Sequence, residues 1–290
     1  MNLVIGIATT GRPAIVAETL NRLVAQSVQP DRIIISMADK GDFHLKDWQG
    51  QSVEVVVSKC GVSRQRNALL TRLNPDDLLI MIDDDFLLAP DYCEEALELF
   101  RRDSAVVMAT GHVIADGIKG PGLTHSQAQT LLDRRQSAGK RHEYPVYNCY
   151  GCNMVIRVRT ALENDVLFDE RLPLYSWLED VDFSRQMAAY GEIICSNALQ
   201  GVHLGTKTWR TPGVKLGYSQ VANPIYLASK GTMAFGRATT LMSRNILMNM
   251  LRSIKPEPWA DRRGRLRGNL LALGDLIRGG LRPERVQSIK

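Results

Sequence analysis

No apolar run in this sequence approaches the length needed to span a bilayer, which excludes a transmembrane helix. The opening residues, MNLVIGIATT, have no basic n-region. They read as a first strand rather than a leader, so a non-secretory, cytoplasmic protein is expected. The five cysteines are scattered and odd in number, which excludes a disulfide framework and suggests a reducing compartment. Cys149 and Cys152 come closest to a motif, but they lie in a strand-like segment with no matching second pair. Burial is expected for them rather than zinc. No internal repeat is evident. Charge of one sign is also scarce: the net value is +5, a balance that nucleic acid, anionic lipid, nucleotide or polyphosphate would answer equally.

What is present describes an ordinary globular chain, with 44% hydrophobic and 23% charged residues over 290 positions. That length suffices for one large α/β domain with a C-terminal appendage. Short apolar runs at 3–8, 32–38, 53–58 and 78–82 alternate with helical patterns. Pro13 opens the first helix, and Val16, Leu20, Leu23 and Val24 form its apolar face. Ser63 is expected to cap the second helix, SRQRNALLTRL. Strands apolar throughout, separated by helices, indicate a largely parallel sheet with helices on both faces.

The stretch LLIMIDDDFLLAP, residues 78–90, organises this pattern. An apolar strand ends at Asp83, Asp84 and Asp85. Three adjacent carboxylates repel one another, so a divalent cation, Mn²⁺ or Mg²⁺, that also carries substrate phosphates would suit the strand's carboxyl edge. A solvated acidic turn is the plainer alternative. Other segments converge on the same edge, where parallel sheets bind ligands. Thr9, Thr10 and Arg12 offer a tight turn and a cation, and Asp39 can accept from the N3–H of a uracil or thymine base. Arg64 and Arg66 can reach diphosphate oxygens or the base, or form a solvated helix face. Asp83 and Asp84 can bond ribose hydroxyls, while Asp85 takes the metal. Glu179 and Asp180 begin a later helix, whose N-terminus should keep a carboxylate ionised as a general base. His203, as a neutral imidazole, is either a third metal ligand or a structural histidine.

These motifs resemble the family 2 glycosyltransferases, inverting enzymes with a GT-A fold. The resemblance rests on TTGRP, Asp39, SRQRNALL, IDDDFLLAP, GCNMVIR, LFDERLPLYSWLEDVDFSRQM and His203, in that order over residues 3–203. It implies that Asp39 recognises the base, that Asp83 and Asp85 end an Asp-x-Asp motif, and that Asp180 is the catalytic base. It also places Asn153 near the donor sugar and makes His203 a metal or diphosphate contact; Trp177, beside the acidic pair, joins the sugar-side candidates. One departure is local: many relatives carry a glycine where Asn164 and Asp165 stand.

The resemblance thus implies a catalytic domain over 1–203 and transfer from a nucleotide sugar to a hydroxyl of a glycan or lipid-linked acceptor, with a UDP- or dTDP-sugar favoured by Asp39. Residues 204–219 read as a basic lid, in which Lys207 and Arg210 would fold over the diphosphate and Trp209 would stack on sugar or anchor the lid. Residues 220–290 form a helical, basic extension. Its last helix carries a stripe of Leu266, Leu270, Leu273 and Ile277 beside clustered arginines. An anionic membrane surface, a homodimer contact and packing on the catalytic domain all fit that stripe. Outside the resemblance, a nucleotidyltransferase would need a glycine-rich signature with a phosphate-binding lysine, of which TTGRP is a poor version. A nucleic-acid binder using the basic tail would leave the aspartates facing phosphates unaided.

Overall fold

The computed structural model describes residues 1–43, 48, 52–135, 139–208 and 211–289. Trp209, Arg210 and part of the polar loop after Asp39 lie outside them. Among the described residues nine strands form one sheet: β1 (Asn2–Thr9), β2 (Arg32–Met37), β3 (Val53–Val57), β4 (Asp77–Asp83), β5 (Phe86–Leu88), β6 (Val106–Asp116), β7 (Glu143–Pro145), β8 (Asn153–Arg157) and β9 (Glu192–His203). Their order is β3-β2-β1-β4-β8-β6-β9-β5, with β7 paired to β9. The β3-β2-β1-β4 half is parallel. Beyond it β8 runs antiparallel to both neighbours, and β5 and β7 run antiparallel to β9. The sheet is therefore mixed rather than largely parallel. Its antiparallel half was hidden because β8 and β9 are buried on both faces and carry no alternation.

Alternation in β1 splits the core into two layers. Leu3, Ile5 and Ile7 pack with Ile33, Ile35, Leu78 and Ile80 against Val16 and Leu20 of α1 (Pro13–Leu23) and Tyr92 and Ala96 of α3 (Tyr92–Arg102). Val4, Ile34, Leu79 and Met81 face the opposite layer. There they meet Leu69 of α2 (Val62–Leu70), Ala161 of α5 (Val158–Glu163) and Phe183 of α6 (Glu179–Met187). Cys149 and Cys152 are buried just before β8, one in each layer, where loss of solvent pushes both thiols well above their ordinary range.

Ser63 does not cap α2. Gly61 stands at the N-cap with φ +130°. The N–H groups of Val62 and Ser63 donate instead to Leu174 O at 2.9 Å and Ser176 Oγ at 3.2 Å. This loop, Leu172 to Leu178, holds three non-glycine residues in left-handed conformation: Leu174 (φ 60°), Ser176 (φ 53°) and Leu178 (φ 76°). Each costs about 1 kcal/mol or more. Asp165, where the glycine was missed, also takes φ 52°, a conformation that Asp tolerates better than most residues.

Between β6 and β7, the chain forms α4 (His125–Asp133). After β9, α7 (Gly213–Lys230) begins earlier than the pattern indicated and runs through Pro224. Gly213 to Ser219 are therefore helical rather than lid. Helices α8 (Phe235–Arg252) and α9 (Arg262–Ile277) follow and pack on α7. The expected α9 stripe divides: Leu273 packs toward Tyr218, whereas Leu270 and Ile277 (87% exposed) face outward. Among the described residues, no helix is long and apolar enough to cross a membrane.

Candidate active site

The acidic triplet is set by strand register. β4 ends at Asp83, Asp84 and Asp85 make the turn, and Phe86 begins β5 opposite His203 of β9. β6 runs along the other side of β9 and brings Asp116 opposite the same histidine. Asp83, Asp85 and His203 thereby offer ligand atoms that all lie within 4.8 Å of one another. Two carboxylates and an imidazole form a donor set suited to a divalent cation.

The histidine is held for that task. Its Nδ1 lies 2.9 Å from Asp116 Oδ1 and its Nε2 3.4 Å from Asp85 Oδ1. A carboxylate behind a ligand histidine fixes the ring and its tautomer. Burial opposes charge on His203, but the hydrogen bonds to Asp116 and Asp85 and their negative charges prevail, raising its pKa to about 10. Without metal the imidazole is thus protonated rather than neutral. Burial also opposes ionisation of Asp85. The His203 hydrogen bond and charge, the Arg12 charge and the Thr206 N–H at 2.8 Å nonetheless hold it well below the usual carboxylate range.

Asp84 differs from its neighbours. It is fully buried, and its carboxylate accepts from Thr9 Oγ1 at 2.6 Å and pairs with Arg12 at 2.7 Å. Burial pushes its pKa to about 7 despite Arg12. Asp84 therefore braces the turn and Arg12 instead of reaching ribose, and Thr9, its hydroxyl partner, remains among the cleft-lining residues. Arg66 is corrected likewise. It is 2% exposed and sits inside the protein, 2.6 Å from Glu179, 3.0 Å from Asp83 and 2.7 Å from Gly151 O. It bridges Asp83 of the metal-binding cluster and Glu179 of α6, and does not form a solvated face. Arg64 points to Glu170 on the surface, at 3.5 Å.

Glu179 and Asp180 open α6, as the spacing indicated. Burial raises Glu179 to about 8, against the charge of Arg66. Asp180 accepts the Gly151 N–H at 3.0 Å and that of Val181 at 2.8 Å. Burial still outweighs these contacts and moves its pKa upward, the opposite of the expected helix-terminus effect and favourable to a base.

Asn153 is buried on β8, its Oδ1 accepting from Thr110 Oγ1 at 2.6 Å and Gly111 N–H at 2.7 Å. Trp177 packs among Leu172, Leu178, Val181 and Leu227. Asp39 is exposed, accepts the Gly41 N–H at 2.8 Å and does not line the cleft. Its neighbour Asp42 is the buried one, tying Ala38 and Asp39 to Gly11 through their N–H groups. Asp42, Asp116 and Gln65, whose Nε2 donates to Thr9 O and Ser36 O, were not singled out. Asp116 opens the weakly patterned segment, where no local signal marks it.

A cleft of about 620 Å³ opens beside the metal-binding acids. Thr10, Arg12, Asp83, Asp85, His203 and, just after β9, Lys207 line it on the sheet side. Lys207 Nζ donates to the carbonyls of Gly117 and Ile118, both at 3.0 Å.

The architecture has relatives. The chain is similar to the glucosyl-dolichyl phosphate glucuronosyltransferase of Haloferax volcanii, with 24% identity over 154 residues. That match covers 51% of this chain and about half, 49%, of the relative. The S. aureus TarS 1–349 crystal structure superposes with a TM-score of 0.57 at 13% identity, covering 99% of this chain and 83% of that one. The mannosyltransferase PcManGT of Pyrobaculum calidifontis, in complex with GDP-Man and Mn²⁺, gives 0.55 at 13% identity over 99% and 78%. Residues 4–164, more than half of the chain, match the family described as glycosyl transferase family 2. With the GT-A sheet and its Asp83–Asp85–His203 cluster, this chain belongs to that family.

Proposed function

We propose that the protein is a metal-dependent, inverting glycosyltransferase that uses a nucleoside diphosphate sugar. The observation that carries this reading is Arg66, which joins Asp83 of the metal-binding cluster to Glu179 beside Asp180. It holds a donor-side group and a base-side group at fixed separation in one buried network. Asp83, Asp85 and His203 would hold Mn²⁺ or Mg²⁺, which when bound supplies positive charge to the donor diphosphate. Lys207 adds a cation on the same side. Asp180 takes the proton of an acceptor hydroxyl as that oxygen forms a bond to the anomeric carbon. The bond from that carbon to the diphosphate oxygen breaks, and the configuration inverts. The raised Asp180 pKa gives the base its strength, and Glu179, paired to Arg66, positions α6.

Transfer from a nucleoside diphosphate sugar is in keeping with two proteins of the same fold, S. aureus TarS 1–349 in complex with UDP-GlcNAc and PcManGT in complex with GDP-Man. A uracil or thymine base is proposed on the strength of Asp39, which can accept from its N3–H and which is exposed outside the cleft lining. A glycan or lipid-linked acceptor is proposed, with the extension resting on an anionic membrane on the cytoplasmic side. Residues 235–282 carry ten Lys and Arg against three Asp and Glu, and Leu247, Leu251, Ile254, Leu270 and Ile277 are exposed among them. A homodimer through the same face is the competing use. The working division is a catalytic domain to 203, a connector, and an extension that begins with α7.

Calorimetric titration of UDP, dTDP and GDP, with and without Mn²⁺, tests the donor site. One diphosphate should bind in a metal-dependent way and lose that binding in Asp85→Ala. Absence of binding by all three would reject the reading.

A further inference from the structure

The C-terminal extension forms a wall of the donor cleft. Besides the sheet residues, the cleft is lined by Lys215 and Leu216 of α7, by Trp259, and by Asp261 and Arg265 at the start of α9. What brings them there is a helix crossing with almost no side chain in it. α7 begins Gly213-Val-Lys-Leu-Gly217 and α9 contains Gly264-Arg-Leu-Arg-Gly268, two glycine pairs each one helical turn apart. A Cβ on Gly217 would stand 2.0 Å from Arg265 O, and one on Gly268 would stand 2.0 Å from Val214 O. The backbones touch, a close approach that only glycine permits. Asn269 Nδ2 then donates to Gly217 O at 2.7 Å, and Asn249 Nδ2 donates to Gln220 Oε1 at 2.8 Å and Asn269 Oδ1 at 2.9 Å. This buried amide cluster locks three helices in one register.

Lys215 and Arg265 lie beside the crossing and enter the cleft from the side supplied by the extension. The sheet side brings two cations, Arg12 and Lys207, to a cleft that Asp83, Asp85 and Asp261 also line. Arg12 is paired with Asp84 at 2.7 Å and lies 3.7 Å from Asp85, so its charge is largely answered. A diphosphate brought to this acidic edge needs further cations. We infer that Lys215 and Arg265 hold the diphosphate of the nucleoside diphosphate donor, with Trp259, 41% exposed at the rim, as an aromatic face for the ligand. The inference rests on the donor reading above and extends it to residues outside the segment matched to the family. The extension is then part of the binding site as well as a candidate surface anchor.

The test is calorimetric, on the full chain, with Mn²⁺ alone and with UDP, dTDP and GDP in the presence of Mn²⁺. Lys215→Gln/Arg265→Gln should weaken the bound diphosphate by about tenfold or more, while Mn²⁺ alone binds as in the wild type. If the double variant does not fold, Lys215→Gln alone should still weaken it by about threefold. Diphosphate affinity within about twofold of wild type, in the protein whose Asp85→Ala variant loses binding, would overturn the inference and leave the donor reading standing. Unchanged diphosphate affinity with weakened binding of a short polyprenyl phosphate would overturn it in favour of an acceptor phosphate. If the wild type binds no diphosphate, both readings fall.

Discussion

Asp116 Oδ1 and His203 Nδ1 stand 2.9 Å apart, on two strands whose parallel register places the residues opposite each other. Tyr150 Oη donates to the other Asp116 oxygen at 3.0 Å, so the carboxylate is oriented in turn. Asp116→Asn keeps the shape but removes the charge behind the ring. Mn²⁺ affinity should fall by about 10- to 100-fold, measured by calorimetry, with little change in the folded spectrum.

The same pair sets a pH dependence. In the metal-free protein His203 has its pKa raised to about 10, against burial, by Asp116 and Asp85. Coordination through Nε2 requires that proton to leave. Mn²⁺ affinity should therefore rise by about tenfold per pH unit between pH 7 and 9, one proton being released per ion. Titrations in buffers of different ionisation enthalpy count that proton. Metal-free stability runs the other way: the contribution of a raised histidine is complete below its ordinary pKa and is lost as pH rises toward 10. Affinity flat across this range would show that His203 is not a ligand.

Arg66 is buried between Glu179 and Asp83. Truncating one partner of a buried ion pair leaves the others charged and unanswered, at a cost of about 3–5 kcal/mol. Arg66→Ala should show that loss in urea unfolding. Arg66→Lys keeps a charge but cannot span Glu179, Asp83 and Gly151 O in the fixed geometry of a guanidinium. It should recover part of the stability while turnover stays low.

Asp180→Asn separates binding from chemistry. The amide retains an oxygen to accept the Gly151 N–H but cannot take a proton. Donor hydrolysis and transfer should fall by about 100-fold or more, and nucleoside diphosphate affinity should stay close to wild type. Equal loss of both would place Asp180 in donor binding instead.

Gly217→Ala tests the helix crossing. In an open helix the change would stabilise by roughly 0.5–1 kcal/mol. Here the added carbon would meet Arg265 O at 2.0 Å, and overpacking of this kind costs about 1–3 kcal/mol. A net drop in stability, with earlier proteolysis of the α9 region, is the expected outcome.

Much of this was legible beforehand. The parallel half-sheet, the turn at 83–85 and the start of α6 each depend on local pattern: apolar runs, a carboxylate cluster, an acidic helix start. What escaped depends on contacts between distant residues. Asp84 and Asp85 are adjacent and alike in type, yet Thr9 and Arg12 claim one while His203 and Thr206 face the other. Arg66 reads as a helix-surface residue until Glu179, 113 positions later, is folded over it. The cap of α2 comes from Leu174 and Ser176, and nothing near Ser63 announces it. The α7–α9 crossing was written in two glycine pairs, but their spacing carried meaning only once the helices were seen to meet.

The loop from Leu172 to Leu178 closes the N-terminus of α2 and, in the same turn of chain, launches α6. α2 carries Arg66 and Gln65, which touch the donor side; α6 carries Asp180. In the proposed reaction the two sides would therefore be joined through one loop rather than carried on separate jaws. An acceptor that pushed Asp180 outward would have to pull on the end of α2, and through Arg66 on Asp83. On the proposed mechanism, the spacing between attacking and leaving groups would be gauged by the fold before any substrate arrives.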